Sequence, residues 1–166
     1  LVLHHVRLDI LMMNNIKILL ALVFILVAMQ GWGQGNDDDA SSIQVIVNVK
    51  SELTELNRKQ VMSLFLGRAR SFPNGKSTKA FDYQIGSQLR ENFFEWLTGK
   101  SISDIDAYWA RLRYSGRTSP PRVISDLDTI LYIVSKNPNA IAYIRQQDPA
   151  QLARQGIVVV HTLKEL

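Results

Sequence analysis

Residues 18–29 are twelve consecutive apolar side chains with Lys17 directly before them. This run constrains the chain more than any other feature. It has no polar face, so it does not fit an amphipathic helix lying on a soluble domain. It is shorter than the roughly 20 apolar residues that span a bilayer. It matches the core of a secretory signal, which runs about 7–15 residues. Gly31-Trp32-Gly33 then places small residues at the third and first positions before a cut at Gln34. We expect residues 1–12 to be an over-extended start and residues 13–33 a signal peptide. Residues 34–42, with Asp37, Asp38 and Asp39, read as a solvated acidic linker. The folded domain is expected over residues 43–166, in a periplasmic or secreted protein that meets the membrane only during export. An uncleaved anchor is the competing reading of the apolar run.

What remains is enough for one domain with a core of its own. The chain has no cysteine, which excludes disulfides, thiol nucleophiles and thiolate metal sites. The net charge of +4 is a mild basic excess that favours anionic partners over distance. No helix is densely basic with interleaved aromatics, so nucleic acid is not an expected partner. His161 has no second histidine near it in the sequence and is expected at the edge of the core, not on a metal. No nucleophile, base and orienting group stand together, so no enzyme, metal or cofactor is expected.

The pattern along residues 43–166 alternates between strands and helices. Residues 43–49 (IQVIVNV) are β-branched and read as a buried strand. Asn57 and Gln60 make a capping-box pair, Val61, Leu64 and Phe65 form a stripe, and Gly67 ends the helix. Phe72-Pro73-Asn74-Gly75 is a turn leading into a strand over 79–83. Ser87 caps the next helix, with Leu89, Phe93, Phe94 and Leu97 inward and Gly99 as stop, and Trp96 falls off that stripe, towards solvent. Ser103 is expected to start a third helix with Asp106 at its third position, and Ser125 a fourth. Between them, residues 115–122 form a Gly/Pro loop. Residues 140–144 and 157–163 read as strands, with one helical turn over 149–154. The order predicts an α/β fold with a small central mixed sheet and about four helices.

Residues 51–144 also resemble a known family. Leu53-Thr54 with Phe65-Leu66-Gly67, and Phe72-Pro73-Asn74-Gly75-Lys76, are similar to its first helix and its following turn. Ser87, Arg90 and Phe93, then Leu97-Thr98-Gly99-Lys100, resemble its second helix. Tyr108-Trp109, Ser115-Gly116, Pro120-Pro121 and 137–144 (NPNAIAYI) follow in the same order. The pattern resembles small single-lobe, phosphate-type ABC transporter substrate-binding proteins of the type 2 periplasmic binding fold. The resemblance implies one lobe of that fold and an oxyanion ligand. Asn139 and Ala142 replace two family glycines. Of the family's Gly-Ser-Gly-Thr anion loop only Gly86 and Ser87 carry over; Gln88 and Leu89 replace the rest, and Tyr83 stands where the family has arginine.

The expected anion site is the helix start at Gly86, Ser87 and Gln88. Free N–H groups and the positive end of the helix dipole favour an anion there. Arg90 is expected to swing over it, flanked by Lys79 and Tyr83. The plainer alternative for Ser87 is an N-cap whose oxygen accepts from the Arg90 amide. Arg111, Arg113, Arg117 and Arg122 form either a steering rim or an ordinary solvated surface. Two functions follow. One is a periplasmic phosphate-binding protein. The other is a ligand-free envelope interaction module, for which an apolar patch near Trp96 or Pro120-Pro121 is the expected mark.

Overall fold

The computed structural model describes residues 42–116 and 118–165. The start and signal expected over residues 1–33 and residues 34–41 of the expected linker lie outside the described residues, as does Arg117. Ser42, expected as the last linker residue, is instead the buried first residue of a strand. Five strands and five α-helices stand among the described residues. They are β1 (Ser42–Asn48), α1 (Arg58–Phe65), β2 (Lys79–Tyr83), α2 (Gln88–Thr98), α3 (Ile102–Tyr114), β3 (Arg122–Ile124), α4 (Leu127–Lys136), β4 (Ala140–Arg145), α5 (Pro149–Arg154) and β5 (Ile157–Lys164). The strands form one mixed sheet in the order β3-β2-β4-β1-β5. β1 runs antiparallel to β4 and β5, and β2 runs parallel to β3 and β4.

Every residue of β1 is buried, as expected of a β-branched strand covered on both faces. Its polar Gln44 is satisfied by donating to the Gln147 carbonyl at 3.1 Å and accepting from the Gln147 amide at 3.0 Å. Asn48 closes the strand and donates from Nδ2 to the carbonyls of Val134 and Ser135, both at 2.8 Å. It thereby satisfies the open carbonyls at the end of α4. Ala142, at one of the replaced glycines, pairs with Ile46 inside the sheet. Asn139, at the other, does not adopt a left-handed backbone.

α1 is capped as its residues dictate. Asn57 accepts from the Gln60 amide at 3.0 Å, and Gln60 accepts from the Asn57 amide at 2.8 Å. Gly67 follows in the left-handed region, φ 66°. A Cβ there would stand 2.9 Å from Cη2 of Trp109, so the residue must be small as well as left-handed. An aromatic cluster sits within the otherwise aliphatic core. Phe93 of α2 stacks on Tyr143 of β4 with ring centroids 3.7 Å apart, and Phe65 of α1 meets Phe93 edge-on at 4.8 Å.

Three local expectations change. α3 begins after Ser101, which accepts from the Asp104 amide, two residues before the expected cap at Ser103. Ser101 is the first such side chain after the stop at Gly99. The earlier start carries Asp106 into the second turn, where it meets Arg90. α4 is capped by Asp126, which accepts from the Thr129 amide at 2.8 Å, not by Ser125. The charged oxygen is the stronger acceptor. Trp96 is buried, not exposed. Its carbonyl and that of Leu97 receive the guanidinium of Arg58, so α1 packs over the end of α2.

Candidate functional site

β2 leads through Gln84-Ile85-Gly86 into α2, and this junction holds the expected anion site. Gly86 turns the chain with φ 83°, and a Cβ there would meet nothing within 4 Å. Ser87 is the N-cap residue, with extended backbone, but its hydroxyl makes no capping bond. The Arg90 and Glu91 amides donate instead to the Ser87 carbonyl, at 3.0 and 3.1 Å. The capping bond expected of a purely structural serine is therefore not made. The amides of Gln88 and Leu89 occupy the first two helical positions, where the helix supplies no acceptor. The Gln88 side chain points along the helix and donates to Asn92 at 2.8 Å.

Arg90 does not swing over this start. Its Nε lies 3.0 Å from Asp82 Oδ2 and its Nη2 lies 2.7 Å from Asp106 Oδ1. The guanidinium also sits over the ring of Phe94, at 5.4 Å. Nη1 is buried without a hydrogen-bond partner. The cation is thus held between β2 and α3, beneath the helix start. Asp82 accepts in addition from the Tyr143 hydroxyl and from the Tyr83 amide.

The electrostatics of this cluster follow from its burial. Desolvation pushes the Asp82 carboxyl above its ordinary range; Tyr143 and Arg90 offset only part of that. The Tyr143 phenol is pushed well up by burial and by the Asp82 charge beside it. Burial works against the Arg90 cation, but the hydrogen bond to Asp106 and the charge of Asp82 outweigh it and raise its pKa. Tyr83, at the family's arginine position, is buried and its phenol is pushed up to about 12 by burial and by Asp126.

Lys79 is not brought to the helix start. It stands at the opposite end of β2 from Tyr83, and a strand rises about 3.3 Å per residue, which puts their backbones roughly 13 Å apart. Of the expected arginine rim, Arg111 and Arg113 are exposed on α3, while Arg122 begins β3. The junction therefore brings together Gly86, Ser87, the Gln88 amide and, below them, Arg90 with Asp82. Sequence reasoning missed Asp82. The available signal was an acidic residue between Phe81 and Tyr83 in a buried strand, where a charge needs a partner. Among the described residues no cluster of His, Asp and Glu stands ready to hold a metal.

The five-stranded mixed sheet with its five α-helices has the fold of a single lobe of a periplasmic binding protein. Solved structures of phosphate-type substrate-binding proteins share this fold. A phosphate ABC transporter substrate-binding protein of Clostridium perfringens, solved with phosphate bound, superposes with a TM-score of 0.53 at 17% identity, over 74% of this chain and 46% of that one. An ABC-type phosphate transport receptor of Vibrio cholerae gives 0.53 at 14% identity, over 74% and 47%. PstS of Borrelia burgdorferi gives 0.54 at 10% identity, over 72% and 46%. This chain therefore spans less than half the length of each of these structures. No protein-family model matches the sequence, and no curated protein matches it.

Proposed function

We propose that the chain is an exported, non-catalytic oxyanion-binding lobe, related to phosphate ABC transporter substrate-binding proteins, that takes phosphate at the Gly86-Ser87 helix start. The observation that carries the reading is the uncommitted donor set at this junction. The Ser87 hydroxyl makes no cap bond, and the Gln88 and Leu89 amides project from the positive end of an eleven-residue helix. Gly86 leaves the approach open. The likeness in fold to proteins named for phosphate supports an anion of that class. Arg90 acts from below as a positioning residue that fastens α2 to β2 through Asp82.

Binding in one lobe is weak. Two-lobed proteins close around a ligand and remove water from it, whereas a single lobe leaves the anion in high dielectric, where each charged contact is worth far less. The affinity rises if a second copy or another envelope protein supplies the missing face. Export rests on the apolar run and predicts a mature N-terminus at Gln34 by mass spectrometry of the secreted chain.

The test is calorimetric titration of phosphate, with sulfate alongside, into the full chain and into the Ser87→Ala/Gln88→Pro variant. Proline is well tolerated at the first helical position and lacks the amide donor. Saturable phosphate heat in the parent and none in the variant supports the site. Equal heat in both removes it.

One observation favours the second reading, an interaction module that kept the lobe and lost the ligand. Ile85 is 77% exposed in the loop directly before Gly86, an apolar side chain placed where a covering protein would meet it. The Trp96 patch is no part of this reading, because Trp96 is buried. No phosphate heat up to millimolar concentration, together with capture of an envelope protein that Ile85→Asp abolishes, would favour it.

A further inference from the structure

A cationic cavity lies at the other end of β2. It has a volume of about 620 Å³ and is lined by Arg70, Lys79, Arg122 and Lys136 and, among the described residues, by no carboxylate. The sheet register gathers two of these cations. Arg122 pairs with Phe81 across the parallel β2–β3 contact. Lys79 lies two residues before Phe81 and so shares its face. Lys136, the last residue of α4, and Arg70, in the loop before β2, complete the wall. Among the described residues no carboxylate stands within ion-pair distance of Lys79, Arg122 or Lys136. Like charges collected in one concavity repel one another, and a polyanion relieves that repulsion while the low-dielectric walls focus the field.

The wall also offers apolar surface, Phe81, Tyr132 and the Pro120-Pro121 loop, beside the neutral polar residues Thr118, Ser119 and Asn137. The volume falls in the range of drug-sized ligand sites, about 300–1,000 Å³, and far exceeds what one phosphate ion fills.

We infer that this cavity binds a small organic polyanion, a molecule with two or more carboxylate or phosphate groups on an aromatic or aliphatic body. The anionic groups meet Lys79, Arg122 and Lys136, and the body lies against Phe81 and Tyr132. The site is independent of the helix start: it uses other residues and lies at the far end of the strand.

The experiment titrates trinitrophenyl-ATP, an aromatic polyanion, into the full chain and follows its fluorescence anisotropy, with citrate and inorganic phosphate as competitors. Expected is saturable binding that weakens as salt rises from about 20 mM to about 300 mM. Lys79→Ala/Lys136→Ala should bind at least roughly tenfold more weakly, the loss of one charge-assisted contact or more. Both lysines are exposed, and Lys79→Arg/Lys136→Arg, which keeps the charges, should retain binding and shows that folding is not at issue. Ser87→Ala should bind as the parent does, and millimolar inorganic phosphate should not displace the probe. The inference is overturned by absence of saturable binding, or by parent-like binding in the alanine double variant. It is also overturned if Ser87→Ala weakens the probe while the lysine variants do not, since the probe would then sit at the helix start.

Discussion

The Nε of Arg90 lies 3.0 Å from Oδ2 of Asp82, and both side chains are 5% exposed. This ion pair joins the strand before the helix start to the helix itself. Neither charge is stable alone at that depth. Arg90→Ala leaves Asp82 buried without its cation and should lower stability by about 3–5 kcal/mol. Arg90→Met combined with Asp82→Asn removes both charges and should lose clearly less. Urea denaturation of the three proteins checks the order; a double variant as unstable as Arg90→Ala would contradict it.

The same cluster sets a pH dependence. The folded Asp82 carboxyl holds its proton to higher pH than the ordinary value of 3.8. The native state therefore binds more protons than the unfolded chain in that range. Its contribution is fully present below 3.8 and is lost as pH rises through the folded pKa. Asp126 has the opposite sign. Hydrogen bonds from Thr129 depress its pKa, so its contribution is present above 3.8 and is lost as pH falls through the folded value. Stability–pH curves of Asp82→Asn and Asp126→Ala, each subtracted from the parent, should slope in opposite directions.

Ser87 and Asn57 occupy equivalent N-cap positions but differ in what they hold. Asn57 accepts from the Gln60 amide at 3.0 Å, whereas Ser87 makes no side-chain cap bond. Asn57→Ala should lower stability by about 1 kcal/mol. Ser87→Ala should leave thermal stability nearly unchanged and weaken phosphate binding. A large loss of stability in Ser87→Ala would return that serine to a structural role.

Gly67 and Gly86 both adopt left-handed backbone, but only Gly67 is crowded. Alanine at Gly86 meets open space and should cost about 1–2 kcal/mol from backbone alone. Alanine at Gly67 adds a clash with the Trp109 ring and should cost distinctly more. Melting temperatures of the two variants give the comparison.

The elements that local chemistry decides were legible in the sequence. β1 shows as a β-branched run, α1 as an Asn57–Gln60 box, β2 as the segment leaving the Pro73–Gly75 turn. What escaped depends on contacts between distant segments. Arg90 looks free in a helix pattern, and only the fold brings Asp82 and Asp106 to it. Trp96 lies off the periodic stripe, yet the fold buries it. β3 is three residues long after two prolines, too short for a period, and exists because β2 offers it an edge. At the site, Gly86 and Ser87 were readable as a helix start, while the separation of Lys79 from them follows from strand length. The cationic cavity joins residues from two strands, a helix and two loops, a grouping without a local signature.

The most direct test of the account is an amide NMR titration of the full chain with inorganic phosphate at low salt. The account predicts saturable shifts centred on Ser87, Gln88 and Leu89, lost in Ser87→Ala/Gln88→Pro. Shifts absent from these amides, or confined to residues around Lys79 and Lys136, would contradict it.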